Sequence, residues 1–133
     1  MPDTSPGQWN IRPQGGGGPV TIFIVPQMQK IITRANLGVA GTFDMEFNID
    51  YLPLLDVMLF ADQAIDIELY LRSEASDAYR RLDNAVFASG TASVLRQPIR
   101  GLRLAGSMLR VRFVNNSGVA TTDLLAQATI RST

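Results

Sequence analysis

The chain has 133 residues, 46% of them hydrophobic, with twelve basic against twelve acidic side chains and neither cysteine nor histidine. That length suits one domain whose core needs no covalent staples. The missing residue types exclude disulfides, thiol catalysis, cysteine-ligated metal sites and imidazole chemistry, and the zero net charge leaves no electrostatic footprint for nucleic acid.

Residues 1–18 differ from everything after them. They hold three prolines, five glycines and one tryptophan, with almost no aliphatic side chains. Such a segment cannot bury enough apolar surface to fold alone. We expect an extended N-terminal arm over 1–18 that lies on another subunit, followed by a single domain over 19–133. Trp9 and Ile11 are its natural anchors, because a buried aromatic carries much of an interface's energy. Arg12 lies beside them, and Gly15, Gly16, Gly17 and Gly18 form a hinge. Fully extended, the arm reaches roughly 60 Å at about 3.3 Å per residue. It has no charged n-region or apolar h-region, so no signal peptide is expected. No run approaches the length of a membrane span.

From Pro19 onward the chain reads as strands separated by turns. Val20–Val25 is wholly apolar and rich in β-branched residues, fit for a strand covered on both faces. A second strand is expected over 29–35. Over 42–50, Phe43, Met45, Phe47 and Ile49 alternate with Asp44, Glu46 and Asn48. Leu54–Ala61 is apolar on both faces except at Asp56. A helix over 52–64 is its rival, with Pro53 at a first-turn position; the strand is favoured. Ile65–Arg72 alternates again, with its apolar row at Ile65, Ile67, Leu69 and Leu71. Further strands are expected over 79–88 and 93–100, with Gly101 and Gly106 marking turns.

Residues 108–131 form two alternating strands around Asn115-Asn116-Ser117-Gly118. The apolar rows are Leu109, Val111, Phe113 and Leu124, Ala126, Ala128, Ile130. This pattern predicts a terminal hairpin. The same Asn-Asn-Ser run matches a glycosylation sequon, but turn chemistry accounts for it. Regularly spaced short strands without a convincing helix indicate an all-β protein. The expected architecture is a jelly-roll-like antiparallel β-sandwich of about eight strands. Strands apolar on both faces in so small a chain need a second cover, which symmetric oligomerisation supplies.

Catalytic chemistry is not expected. Acid–base work needs two converging carboxylates, yet Asp44 and Glu46, or Asp62, Asp66 and Glu68, fall on or beside the solvent faces of strands. No loop offers a calcium-binding spacing. The glycine run lacks the Lys-Ser/Thr and the helix of a phosphate loop. No cofactor, metal, nucleic acid or membrane partner is expected. Eleven of the twelve basic residues are arginine, Lys30 being the exception. Codon usage in a GC-rich genome is one explanation. Pairing with Asp or Glu, within the subunit or across a contact, is the other, and for Arg96, Arg100, Arg103, Arg110 and Arg112 it explains the crowding better than a nucleic-acid patch.

Several segments carry a family resemblance: Ala61-Asp62-Gln63-Ala64 before Ile65–Arg72, Arg80-Arg81-Leu82-Asp83, the run Leu109-Arg110-Val111-Arg112-Phe113-Val114-Asn115-Asn116, and Thr122-Asp123-Leu124 leading to Ile130-Arg131. Together they resemble β-sandwich virion proteins of tailed bacteriophages. The chain departs from that pattern by lacking an Asn/Ser-Asp-Gly-Trp segment after Ile65–Arg72. The resemblance implies a non-enzymatic structural role on the virion: a capsid decoration (cement) protein on the capsid surface, bound to the major capsid protein as a homo-oligomer, a trimer being favoured. The alternative it implies is a tail, baseplate or fibre component that binds a host glycan.

Overall fold

The computed structural model describes residues 7–11, 20–25, 28–50, 52–89 and 94–132. Ten strands run through them: β1 (Gly7–Ile11), β2 (Val20–Val25), β3 (Met28–Thr33), β4 (Thr42–Asn48), β5 (Leu54–Ala61), β6 (Ile65–Arg72), β7 (Arg80–Ser89), β8 (Arg96–Arg103), β9 (Met108–Asn115) and β10 (Leu124–Arg131). They form a six-stranded sheet in the order β1-β2-β3-β10-β5-β8 and a four-stranded sheet in the order β4-β9-β6-β7. Every pairing is antiparallel. Strands β3 to β10 alone make the expected eight-stranded jelly roll, a double sheet of two Greek keys. Strands β1 and β2 extend one of its sheets.

Period-two patterning built this arrangement. Strands β5 and β9 alternate half-buried and buried positions along their whole length. The expected apolar rows of β4, β6 and β9 point inward from the four-stranded sheet: Phe43, Met45 and Phe47; Ile65, Ile67 and Leu69; Leu109, Val111 and Phe113. Facing them are Leu55, Val57 and Leu59 of β5, and Ala126, Ala128 and Ile130 of β10. These rows of both sheets belong to one buried apolar cluster, as the inner faces of a sandwich do. The rival helix over 52–64 does not form; the alternation at Leu55, Val57, Leu59 and Ala61 fits a strand and breaks a helical stripe.

The terminal hairpin expected from residues 108–131 is corrected by the structure. Strand β9 lies in the four-stranded sheet and β10 in the six-stranded one. Their two apolar rows face each other across the core instead of sharing a face. The link over 116–123 crosses the end of the sandwich, and side chains anchor it there. The buried amide of Asn115 donates to the carbonyls of Leu37, Gly38 and Val119 at 3.3, 3.0 and 2.8 Å. Its carbonyl oxygen accepts from the Ser117 backbone and hydroxyl. The Thr121 hydroxyl accepts from the Leu37 amide at 2.8 Å. Turn-forming side chains here hold a crossover, which periodicity alone does not distinguish from a hairpin.

Gly101 is also corrected, from a turn to the interior of β8. Between the pairs Leu55–Leu102 and Val57–Ile99, residues 100 and 101 oppose Asp56 alone. That is a β-bulge, and Gly101 adopts φ 63° there, the left-handed geometry such a bulge asks of a glycine. A second irregularity sets Gln97 and Pro98 against Met58. Proline is tolerated because β8 is an edge strand.

Candidate binding groove and the two sheet faces

The outer face of the four-stranded sheet is an ion-pair ladder. Antiparallel register puts Asp44 opposite Arg112 and Glu46 opposite Arg110, with Glu68 and Tyr70 on the far side of the same rows. Arg112 grips Asp44 through two bonds of 2.8 and 3.0 Å. Arg110 reaches Glu46 at 2.8 Å and lies 3.7 Å from Asp44. Asp44 raises the Arg112 guanidinium's affinity for its proton. The Tyr70 hydroxyl donates to Glu68 at 2.7 Å, and that bond pushes the phenol's pKa up. The Tyr79 ring sits between the guanidinium groups of Arg72 and Arg110, 4.5 and 4.2 Å from its centroid, a geometry that favours cation–π attraction. Among the described residues its buried hydroxyl has no hydrogen-bond partner. Two of the arginines singled out in the C-terminal third, Arg110 and Arg112, therefore pair within the subunit as expected.

The carboxylates considered for acid–base chemistry are held in the same way. Asp62 accepts from the Thr122 hydroxyl at 2.7 Å and from the backbone amides of Thr122 and Asp123. These bonds, led by the hydroxyl's, hold its carboxyl below the usual range. Asp66 accepts from the Asn116 side chain at 2.8 Å. Both acids tie the 116–123 crossover to the β5–β6 end of the sandwich.

The opposite face, on the six-stranded sheet, is built differently. Three rows cross β3, β10 and β5: Ile32–Gln127–Met58, Lys30–Thr129–Asp56 and Met28–Arg131–Leu54. At the edge, the two irregularities of β8 carry Gln97 and Arg100. With Met28, Lys30, Asp56, Met58, Gln127, Thr129 and Arg131 of these rows they line an open groove of about 520 Å³ that runs across the strands. Its centre is Asp56, the only charged residue of β5. The Arg131 guanidinium donates to it from Nε at 2.6 Å, and the Gly101 backbone amide donates at 2.6 Å. The Arg131 bond is the main reason the Asp56 carboxyl lies below its ordinary range. One carboxylate thus fixes the bulge and so sets where Arg100 leaves the edge strand. Half-buried Leu54, Met58, Phe60 and Leu125 complete this outer face.

The anchors named from sequence sit at one margin of this sheet. Trp9 pairs with Ile22 and Ile11 with Val20 as β1 runs antiparallel to β2. The backbone of Gly7–Ile11 is therefore an edge strand of the same chain. Arg12 and Gly15, Gly16, Gly17 and Gly18 lie outside the described residues. The sequence pointed to no groove, although Lys30, Asp56 and Arg100 each stood out in it singly. The available signal was Asp56, a lone charge in a strand otherwise apolar on both faces. Its partners Gly101 and Arg131 are distant in sequence and on different strands, so no local motif pointed to them.

No family model matches the chain, and no curated protein matches it. Among solved structures it is similar to the PBSX exported protein XepA, with a TM-score of 0.65, 13% identity, and coverage of 78% of this chain and 37% of that one. The chain thus spans little more than a third of XepA. It is also similar to PirA, with a TM-score of 0.52 and 7% identity over 75% of this chain and 93% of that one. A family 29 carbohydrate-binding module aligns at a TM-score of 0.46 with 10% identity, over 97% of this chain and 82% of that one. At these identities the likeness is one of fold.

Proposed function

We propose that this chain is a structural protein of a phage virion, and that its role there is capsid decoration. The observation that carries the reading is the contrast between the two outer faces. One locks the charges of β4 and β9 into ion pairs, while the other keeps half-buried apolar side chains and a groove open to a partner. A molecule so built works by presenting a surface, without bond-making chemistry. The fold it shares with an exported protein of PBSX supports a place among phage proteins. In this reading three copies associate around a threefold position on the head. The segment 1–18, paired to its own sheet through β1, contacts neighbouring major capsid subunits through Trp9 and Ile11, and joining several subunits at once raises the effective concentration of each contact.

Co-sedimentation of the purified chain with isolated heads and with isolated tails of its parent phage tests this. Retention on heads is the expected result. Retention on tails alone overturns the decoration role and favours the tail, baseplate or fibre alternative. Retention on neither overturns the virion reading.

A further inference from the structure

On the four-stranded sheet Arg110 and Arg112 of β9 are paired with Asp44 and Glu46 of β4. In the groove, Asp56 and Arg131 are paired too, but among the described residues the side chains of Gln97, Arg100 and Gln127 hold no hydrogen bond or ion pair. These three groups come from β8 and β10 and line the same open depression, with Lys30 on the far wall. Two carboxamides offer both donors and acceptors, and a guanidinium offers a fork of donors suited to a carboxylate. The complementary ligand carries hydroxyls and at least one carboxylate. The floor strands β10 and β5 are paired on both sides, and the β8 edge is broken by two irregularities and Pro98, so a peptide would find no regular strand edge along which to bond its backbone. Four strands spaced by about 4.8 Å give a groove about 14 Å wide, a span suited to a ligand of a few sugar units.

We infer that this groove binds an acidic oligosaccharide, with its carboxylate on Arg100 and its hydroxyls on Gln97 and Gln127. Lys30 adds positive charge on the opposite wall, and the Asp56–Arg131–Gly101 arrangement is the device that positions Arg100. The inference does not depend on where in the virion the chain sits, and head binding can fail without affecting it.

The test is an amide chemical-shift titration of the full chain with a panel of short oligogalacturonate, hyaluronan fragments and sialyllactose. Methyl-esterified oligogalacturonate and tetraglutamate serve as comparators. At least one acidic sugar is expected to shift the amides around residues 97–101 and 127–131. Arg100→Ala and Gln127→Ala are each expected to weaken that binding about tenfold, as losing a charged or a neutral hydrogen bond to a ligand does. Arg100 is exposed and Gln127 half-buried, so unchanged melting temperatures serve as the folding control. Esterification is expected to weaken binding to a similar degree. Three results overturn the inference: no shift with any acidic sugar, undiminished binding by both variants, or tetraglutamate binding as tightly as the sugars, which would make the ligand an acidic protein segment.

Discussion

Asp56 shows how a single side chain links stability to the candidate site. In the middle of a strand that is apolar on both faces, a charge is costly unless it is paired. It is paired twice, with the Arg131 guanidinium and with the Gly101 amide. Those bonds favour the ionised form, so the folded-state pKa lies below the unfolded value. A depressed carboxyl gives stability that is fully present above the unfolded pKa of about 3.9 and is lost as pH falls through the folded value. Asp56→Asn removes the titration. Because the pair is partly exposed, its contribution is screened, and the variant should lose about 0.5–1 kcal/mol at neutral pH. The gap between variant and wild type should close as the pH falls below about 3.9. Urea unfolding at a series of pH values checks this; a gap that persists undiminished into strong acid would show that the carboxylate's charge contributes nothing.

Edge strand β8 makes the same point one level up. Two irregularities, Pro98, and exposed Arg96, Arg100 and Arg103 make it a poor template for pairing with another chain. The bulge at Gly101 needs a residue that tolerates φ 63°. A Cβ there would also lie 3.2 Å from Nη2 of Arg131. Gly101→Ala should therefore cost about 1–2 kcal/mol, the price of left-handed backbone for a residue with a side chain. Gly38→Ala is the matched control, since a Cβ at Gly38 meets nothing within 4 Å. Equal denaturation midpoints for the two variants would refute the bulge argument. This element also marks the boundary of what the sequence discloses. Strict alternation gave the inward rows of β4, β5, β6 and β9, because a one-residue slip would turn every apolar side chain outward. Strand β8 has no such row: only Ile99 is buried along it, apart from half-buried Pro98 and Leu102, so its span over Arg96–Arg103 and its bulge were set by pairing with β5. The crossing from β9 to β10 was hidden for a related reason. A turn cluster fixes where a strand ends, while the sheet the next strand joins depends on distant partners such as Leu37 and Asp62. The groove shares that difficulty, being assembled from four strands that contribute two or three residues each.

Taken whole, the molecule is a closed jelly roll with a two-stranded extension, and this division makes the role of the N-terminal segment testable. The eight strands β3 to β10 complete both Greek keys without β1. Most of the buried core, from Ile31 to Ile130, lies within them; β2 adds Ile22. Removing residues 1–18 leaves β2 in place as the new edge of the six-stranded sheet. The truncated chain should therefore unfold cooperatively, with a melting temperature lowered by only a few degrees, since about 1 kcal/mol shifts a domain of this size by about 4 °C. Its groove should bind as before, because none of the lining residues lies in the deleted segment. Its retention on phage heads should be lost, because Trp9, Ile11 and Arg12 are gone and with them the proposed bridge between neighbouring subunits. These three readouts separate the possible failures. Loss of cooperative unfolding would show that the segment belongs to the fold. Loss of groove binding would show that the two surfaces are coupled. Full retention on heads by a folded, truncated chain would refute the bridging role, leaving the open face of the six-stranded sheet as the surface that makes the contact.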